Sequence, residues 1–86
     1  MIEVVFTEKF IKMVHALEKP LRDDVYASVA ELQDVKNHQK LKMHKLHGKF
    51  KNLYGFSVNY KIRVVCEKLS ARKYLMHIVG GHEIYE

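Results

Sequence analysis

The feature that most constrains the fold is an alternation of apolar and polar residues between positions 54 and 66. A period of two places alternate side chains on opposite faces of a β-strand. The run is longer than a typical strand, so we expect two antiparallel strands that turn near residues 58–60, or one long bent strand. The apolar positions that define one face are Tyr54, Phe56, Val58, Tyr60, Ile62, Val64 and Cys66.

Two amphipathic helices are predicted in the first half of the chain. A short strand at residues 2–6 leads to Thr7, a predicted N-cap, with Glu8 placed where the helix dipole favours an acid. Apolar residues at three- and four-residue spacing then predict a helix over residues 8–18. Pro20 ends that helix and starts a second one, which fades near residues 36–38.

The remaining pattern completes an α+β fold of order β-α-α-β-β-β. We expect a turn over residues 67–73 and a last strand over residues 74–79, followed by a short tail. The two-helix hairpin is then predicted to pack on one face of a small antiparallel β-sheet. The other face is predicted to carry polar residues, with Lys61 and Arg63 exposed to solvent. A length of 86 residues allows a single domain, residues 1–86, and excludes a separate cofactor module.

Composition narrows the class of protein further. No apolar run approaches the roughly 18 residues of a membrane helix, and the N-terminus lacks a secretory pattern. Cys66 is the one cysteine, so the chain cannot form an internal disulfide. We therefore expect a cytoplasmic protein without a membrane partner.

The charge is strongly uneven along the chain. Residues 1–38 carry five Lys and Arg against seven Asp and Glu, whereas residues 39–86 carry ten against three. Residues 40–51 alone contain five Lys and two His with no acid. This asymmetry favours a polyanionic partner, for which nucleic acid, an acidic protein segment and an anionic membrane surface are all candidates.

Two kinds of catalytic site are disfavoured by the residues. No Cys or His pair has the spacing of a structural zinc site, and the lysines around His44 and His47 would repel a cation. The chain also lacks phosphate-loop and dinucleotide motifs. A nucleophilic role for Cys66 conflicts with its place on the apolar face, where it is predicted to fill the core. We therefore expect no cofactor and no metal.

The residues that remain suit cleavage of a phosphodiester in RNA. RNA can be cut without a metal because its own 2′-hydroxyl is the nucleophile. The enzyme must move protons, a task for His, and stabilise negative charge, a task for Lys or Arg. The sequence supplies these groups as His47, His82, Tyr85, Lys45, Lys49, Lys61 and Arg63.

Three segments give the chain a family resemblance. They are Lys45-Leu46-His47-Gly48, Tyr60-Lys61-Ile62-Arg63-Val64-Val65 and Gly80-Gly81-His82-Glu83-Ile84-Tyr85. In order and spacing they resemble the C-terminal half of RelE/ParE-superfamily toxins. The N-terminal strand and helical hairpin also fit, so the resemblance spans essentially the whole chain.

The resemblance implies the toxin of a type II toxin–antitoxin pair. Many members of the superfamily are metal-independent endoribonucleases that cut mRNA in the ribosomal A site. The resemblance then implies a cognate antitoxin, mRNA and the ribosome as partners, with DNA contacted only through the antitoxin complex. The alternatives are a ParE-like inhibitor of DNA gyrase, which needs no acid–base residues, and a degenerate toxin that only binds its antitoxin.

The resemblance also implies roles for individual residues. Arg63 matches the family's phosphate-contacting arginine, and His82 matches its catalytic histidine. Tyr85 is expected to stack on a base or orient the phosphate, and His47 to act as a base or a stacking ring. Contacts with the RNA backbone are expected from Lys45, Lys49, Lys51 and Lys61.

Overall fold

The computed structural model describes residues 1–47, 51–81 and 84. Strand β1 (Glu3–Phe6) is followed by helices α1 (Glu8–His15) and α2 (Lys19–Leu32) and by a 3₁₀ turn at Val35–Asn37. Four further strands follow: β2 (His44–Lys45), β3 (Leu53–Ser57), β4 (Arg63–Ser70) and β5 (Lys73–Gly80). The described residues form one five-stranded sheet in the order β1-β5-β4-β3-β2.

The predicted α+β class, with two helices on one side of the sheet, is confirmed. Strands β2 to β5 pair antiparallel, as expected. Strand β1 instead pairs with β5 in parallel, so the sheet is mixed. The alternation within a strand is the same for both kinds of pairing, and the sequence therefore carried no signal for this difference.

The structure contains the N-cap and the two helices predicted for the first half of the chain, with small differences in the helix bounds. The Thr7 hydroxyl accepts a hydrogen bond from the Phe10 amide at 3.0 Å, which confirms the predicted N-cap. Helix α1 ends at His15, three residues before the predicted end. Helix α2 starts one residue before Pro20, where the missing amide hydrogen costs no helical bond. Neither helix is long and apolar enough to cross a membrane, and the same holds for every helix in the described ranges.

The alternating run from residue 54 folds as the predicted hairpin, with β3 and β4 joined by a loop at residues 58–62. The turn predicted over residues 67–73 is wrong. Strand β4 continues to Ser70 and β5 begins at Lys73, with a register shift between Lys68 and Ser70. Lys68, Leu69 and Ser70 are exposed and lack the alternation of a half-buried strand, although their backbone still pairs with β5.

The core lies between the helices and the even positions of β3 and β4, together with Tyr74, Met76 and, beyond a register shift, Val79 of β5. The largest fully buried side chains come from both layers: Phe10, Val14, Val25 and Leu32 from the helices, and Phe56, Val64, Cys66 and Met76 from the strands. The opposite face is less polar than predicted. Val65 on that face is buried, and Leu53, Leu75 and Ile78 are half-buried beside Glu67 and His77.

Cys66 belongs to this core, in the middle of β4, as its parity predicted. Its side chain is fully buried, and burial raises the pKa of the thiol to about 12. The thiolate is the reactive form of cysteine, so an apolar environment that disfavours it makes the residue chemically inert. This position is incompatible with a nucleophilic role.

We therefore expect the native protein to resist a thiol-specific disulfide reagent at pH 8 and to react once guanidinium unfolds it. The measurement is the release of the coloured thiolate over time. A matched control moves the thiol to the surface of the same strand, with Leu69→Cys in a Cys66→Val background, and should react at once in the native state. Rapid stoichiometric labelling of native wild-type protein would contradict the burial described above.

Candidate functional site

Arg63 marks the end of the sheet where three strands meet. It is the first residue of β4 and pairs with Ser57, the last residue of β3, and with Gly80, the last residue of β5. The sequence predicted a solvent-facing side chain, but the Arg63 side chain is half-buried. The guanidinium Nη1 donates hydrogen bonds to the carbonyl oxygens of Asn59 at 3.0 Å and Tyr60 at 3.2 Å.

The loop that Arg63 contacts is tightly hydrogen-bonded. The Asn59 side-chain oxygen accepts from the backbone amides of Lys61 at 2.8 Å and Ile62 at 2.9 Å. The Val58 amide donates to the Ile62 carbonyl at 2.9 Å, which closes the base of the loop. An Asn side chain that mimics a backbone turn in this way pre-organises the segment. Arg63 and the loop therefore hold each other in place.

The tip of this loop is more exposed than the sequence pattern predicted. The even-position pattern placed Tyr60 on the apolar face, yet its side chain is 80 % exposed because the loop interrupts the alternation. The Lys61 ammonium lies 5.7 Å from the centroid of the Tyr60 ring. Lys61 thus lies in the loop and not on a strand, but it remains exposed and next to Arg63 as predicted.

Glu67 pairs with His77, a residue that the sequence placed on the polar face. The His77 Nε2 lies 2.8 Å from a Glu67 carboxylate oxygen, and both side chains are about one-third exposed. The pair joins β4 to β5 at the position of a register shift. Glu67 is therefore engaged by His77 on the neighbouring strand.

The C-terminal segment begins beside Arg63. Gly80 pairs with Arg63 across β4 and β5, and the Ile84 amide donates a hydrogen bond to the Gly81 carbonyl at 3.2 Å. The predicted site residues His82 and Tyr85 lie outside the described residues, as does Lys49. Their predicted roles stay predictions.

The basic segment forms the edge strand β2, which the sequence analysis did not predict. Lys45 pairs with Tyr54, and the Leu46 amide donates to the Leu53 carbonyl. His47 is the next residue after Leu46 and is exposed. Arg63, in contrast, pairs with Ser57, which lies four residues beyond Leu53 along β3. At about 3.3 Å per residue, the register places His47 more than about 13 Å from Arg63 along the strand direction. Lys45 and Lys51 are exposed along the same part of the sheet.

His44, unlike its neighbours Lys45 and His47, lies on the same face of the sheet as Arg63. It pairs with Gly55, two positions from Ser57, and residues two apart on a strand share a face. Its ring Nδ1 lies 3.0 Å from the Lys42 carbonyl oxygen, which orients the side chain. A basic segment without apolar–polar alternation gives no sequence signal of strand pairing. The sequence therefore indicated His47, and not His44, as the site residue.

The end of the sheet thus carries Arg63 with Lys61 and Tyr60 on the adjoining loop, and His44 lies on the same face, on the edge strand β2. We call these four residues the Arg63 surface. A guanidinium together with ammonium and imidazole groups suits a bound phosphate ester, its charge stabilisation and proton transfer. Among residues 1–47, 51–81 and 84, no three His, Cys, Asp or Glu side chains come together as metal ligands would.

Solved structures with the same fold include chains of toxin–antitoxin complexes. A chain of the archaeal RelE–RelB complex from Pyrococcus horikoshii OT3 superposes with a TM-score of 0.73 over 93 % of both chains at 16 % identity. A mutant of YafQ from E. coli gives a TM-score of 0.69 at 16 % identity and covers 98 % of this chain and 97 % of its own.

A third similar structure is a chain of the toxin–antitoxin complex RelBE2 from Mycobacterium tuberculosis. It gives a TM-score of 0.68 at 14 % identity and covers 94 % of this chain and 98 % of its own. No protein-family model and no curated protein sequence matches the chain. At these identities the likeness is one of fold, and it confirms the RelE-like architecture predicted from the sequence.

Proposed function

We propose that this chain is the toxin of a type II toxin–antitoxin pair and acts as a metal-independent endoribonuclease on mRNA. The observation that carries the proposal is the placement of Arg63, half-buried and anchored where β3, β4 and β5 end together. An anchored guanidinium keeps its position as charge develops, which is the condition for electrostatic catalysis. The shared fold of RelE and YafQ supports the same class.

In the proposed reaction, the ribose 2′-oxygen attacks the adjacent phosphorus and the bond from phosphorus to the 5′-oxygen breaks. A histidine takes the proton of the 2′-hydroxyl, and a second group protonates the departing 5′-oxygen. Arg63 stabilises the negative charge that accumulates on the phosphorane oxygens. The products are a 2′,3′-cyclic phosphate and a 5′-hydroxyl.

The exposed lysines bind the rest of the substrate. Lys61 lies beside Arg63 on the β3–β4 loop, while Lys45 on β2 and Lys51 before β3 are exposed further along the sheet, and all three are proposed to contact backbone phosphates. The ribosomal A site is the proposed place of cleavage, because it presents mRNA as an unpaired strand. A cognate antitoxin is proposed to silence the toxin by covering or distorting the Arg63 surface. Solved toxin–antitoxin complexes with the same fold, RelE with RelB, YafQ with DinJ and RelBE2, support an antitoxin as partner.

Cleavage should persist in excess EDTA on ribosome-free RNA and should yield a 2′,3′-cyclic phosphate end. End-group analysis of a labelled RNA by mass spectrometry measures both features at once, and primer extension in a translation reaction maps cleavage on the ribosome. Activity that EDTA abolishes and magnesium or zinc restores would contradict the mechanism. Growth arrest with filamentous cells and intact mRNA would favour the gyrase inhibitor.

Arg63→Ala should lower the cleavage rate by about 10²-fold or more, since it removes the charge stabiliser. It should also lower the melting temperature, because the guanidinium bonds to two loop carbonyls. Asn59→Ala is the matched control. It removes the loop bonds of the Asn side chain, costs about 1–2 kcal/mol of stability, and leaves the guanidinium in place. If the two variants lose cleavage equally per folded molecule, Arg63 acts only by holding the loop.

The three histidines near the basic segment and the tail can be separated by substitution with glutamine, which keeps a polar side chain but cannot titrate near neutrality. We expect His44→Gln and His82→Gln to lose about 10²- to 10⁴-fold in rate and to flatten the pH–rate profile. His47→Gln should change the rate much less, because the register places His47 away from Arg63. A larger loss for His47→Gln than for His44→Gln would reverse this assignment.

A further inference from the structure

Tyr60 exposes an aromatic ring that the fold does not use. Its side chain is 80 % exposed at the tip of the β3–β4 loop, whereas Tyr74 in the core is 5 % exposed. Tyr54 and Tyr74 contact each other through their rings, but Tyr60 packs against none of the core residues. An aromatic ring that is exposed to water contributes nothing to folding through burial. Its exposure leaves it available to a binding partner.

The loop presents this ring in a fixed geometry. Asn59 binds the amides on the C-terminal side of Tyr60, and Arg63 binds the Tyr60 carbonyl itself at 3.2 Å. A pre-organised aromatic side chain binds a ligand without the entropic cost of ordering its backbone. The same hydrogen bonds tie Tyr60 to Arg63, so the position of the ring is coupled to the position of the proposed phosphate-binding group.

The charge around the ring selects the class of ligand. The Lys61 ammonium lies 5.7 Å from the ring centroid, and residues 58–65 contain Lys61 and Arg63 but no acid. An exposed aromatic face combined with neighbouring cations is the arrangement that binds an unpaired nucleotide, whose base stacks on the ring while its phosphate meets the cations.

We propose that Tyr60 and Lys61 form a stacking platform for a base of single-stranded RNA, one nucleotide away from the phosphodiester that Arg63 contacts. The proposal rests on the proposed function and adds to it Tyr60 as a positioning residue, a role that neither the sequence nor the family resemblance assigned. Tyr60 stacks on the base, and Lys61 binds the backbone phosphate beside it. The platform thereby sets which phosphodiester reaches Arg63.

The test measures binding of the full chain to a short single-stranded RNA of mixed sequence with a 2′-O-methyl group on every ribose, which blocks cleavage. Fluorescence anisotropy at several salt concentrations gives the Kd and its salt dependence. Tyr60→Ala should weaken binding about 5- to 150-fold, the range for loss of one stacked base, and Tyr60→Phe should stay within about twofold of wild type. Lys61→Gln should reduce the slope of log Kd against log salt by about 0.7.

Tyr26→Ala is the matched control, because Tyr26 is a half-exposed tyrosine on α2, on the helix side of the sheet. It should leave RNA binding within about twofold of wild type. Melting curves followed by circular dichroism confirm that each variant is folded. Primer extension with the cleavable RNA should also show that Tyr60→Ala spreads cleavage over neighbouring phosphodiesters, which a merely structural role would not produce.

The outcomes separate this inference from the proposed function. If Tyr60→Ala binds the RNA as wild type does while Arg63→Ala has lost binding or cleavage, the platform is overturned and the ribonuclease proposal stands. An exposed tyrosine that serves to dock a protein partner gives this result. Equal weakening by Tyr60→Ala and Tyr26→Ala also overturns the platform. If the wild-type chain neither binds nor cleaves RNA, both proposals are overturned together.

Discussion

Burial of the helix-facing side of β4 is the constraint on which the other features depend. Val64 and Cys66 of this strand are fully buried beneath α1 and α2, and β4 pairs on both sides, with β3 and with β5. A shift of one residue would turn these side chains to the other face and remove them from the core. The register of β4 is therefore strongly determined, and with it the place of Arg63 at the end of the strand, next to Ser57 and Gly80.

The same constraint explains how the structural role of Arg63 fits the role proposed for it in phosphate binding. A strand that starts at Arg63 leaves residues 58–62 as a loop whose carbonyl oxygens lie within reach of the guanidinium. Two of these oxygens accept hydrogen bonds from Nη1. Burial of a guanidinium is tolerated when its donors are satisfied, and a satisfied guanidinium is also a rigid one. Rigidity at this position is what electrostatic stabilisation of a phosphorane requires.

The division of charge along the chain has a counterpart in the fold. The mildly acidic first half forms β1 and the helical layer, while the basic second half forms the edge strand β2, the β3–β4 loop and the end of the sheet. Lysines remain exposed along β2 and the β3–β4 loop, and Glu67 is engaged by His77. The exposed lysines of the second half therefore favour an anionic partner.

The sequence by itself determined the α+β class, the two helices with the Thr7 cap, the β3–β4 hairpin and the buried state of Cys66, because each depends on local capping or on a short apolar period. Residue chemistry and family resemblance also predicted Arg63 and Lys61 as site residues, and these roles stay predictions. Only the tertiary structure decided the parallel pairing of β1 with β5, the existence of β2, the exposure of Tyr60 and the position of His44 on the same face of the sheet as Arg63. These features depend on which strands pair and in which register, and pairing joins residues distant in the chain whose local patterns are compatible with several partners.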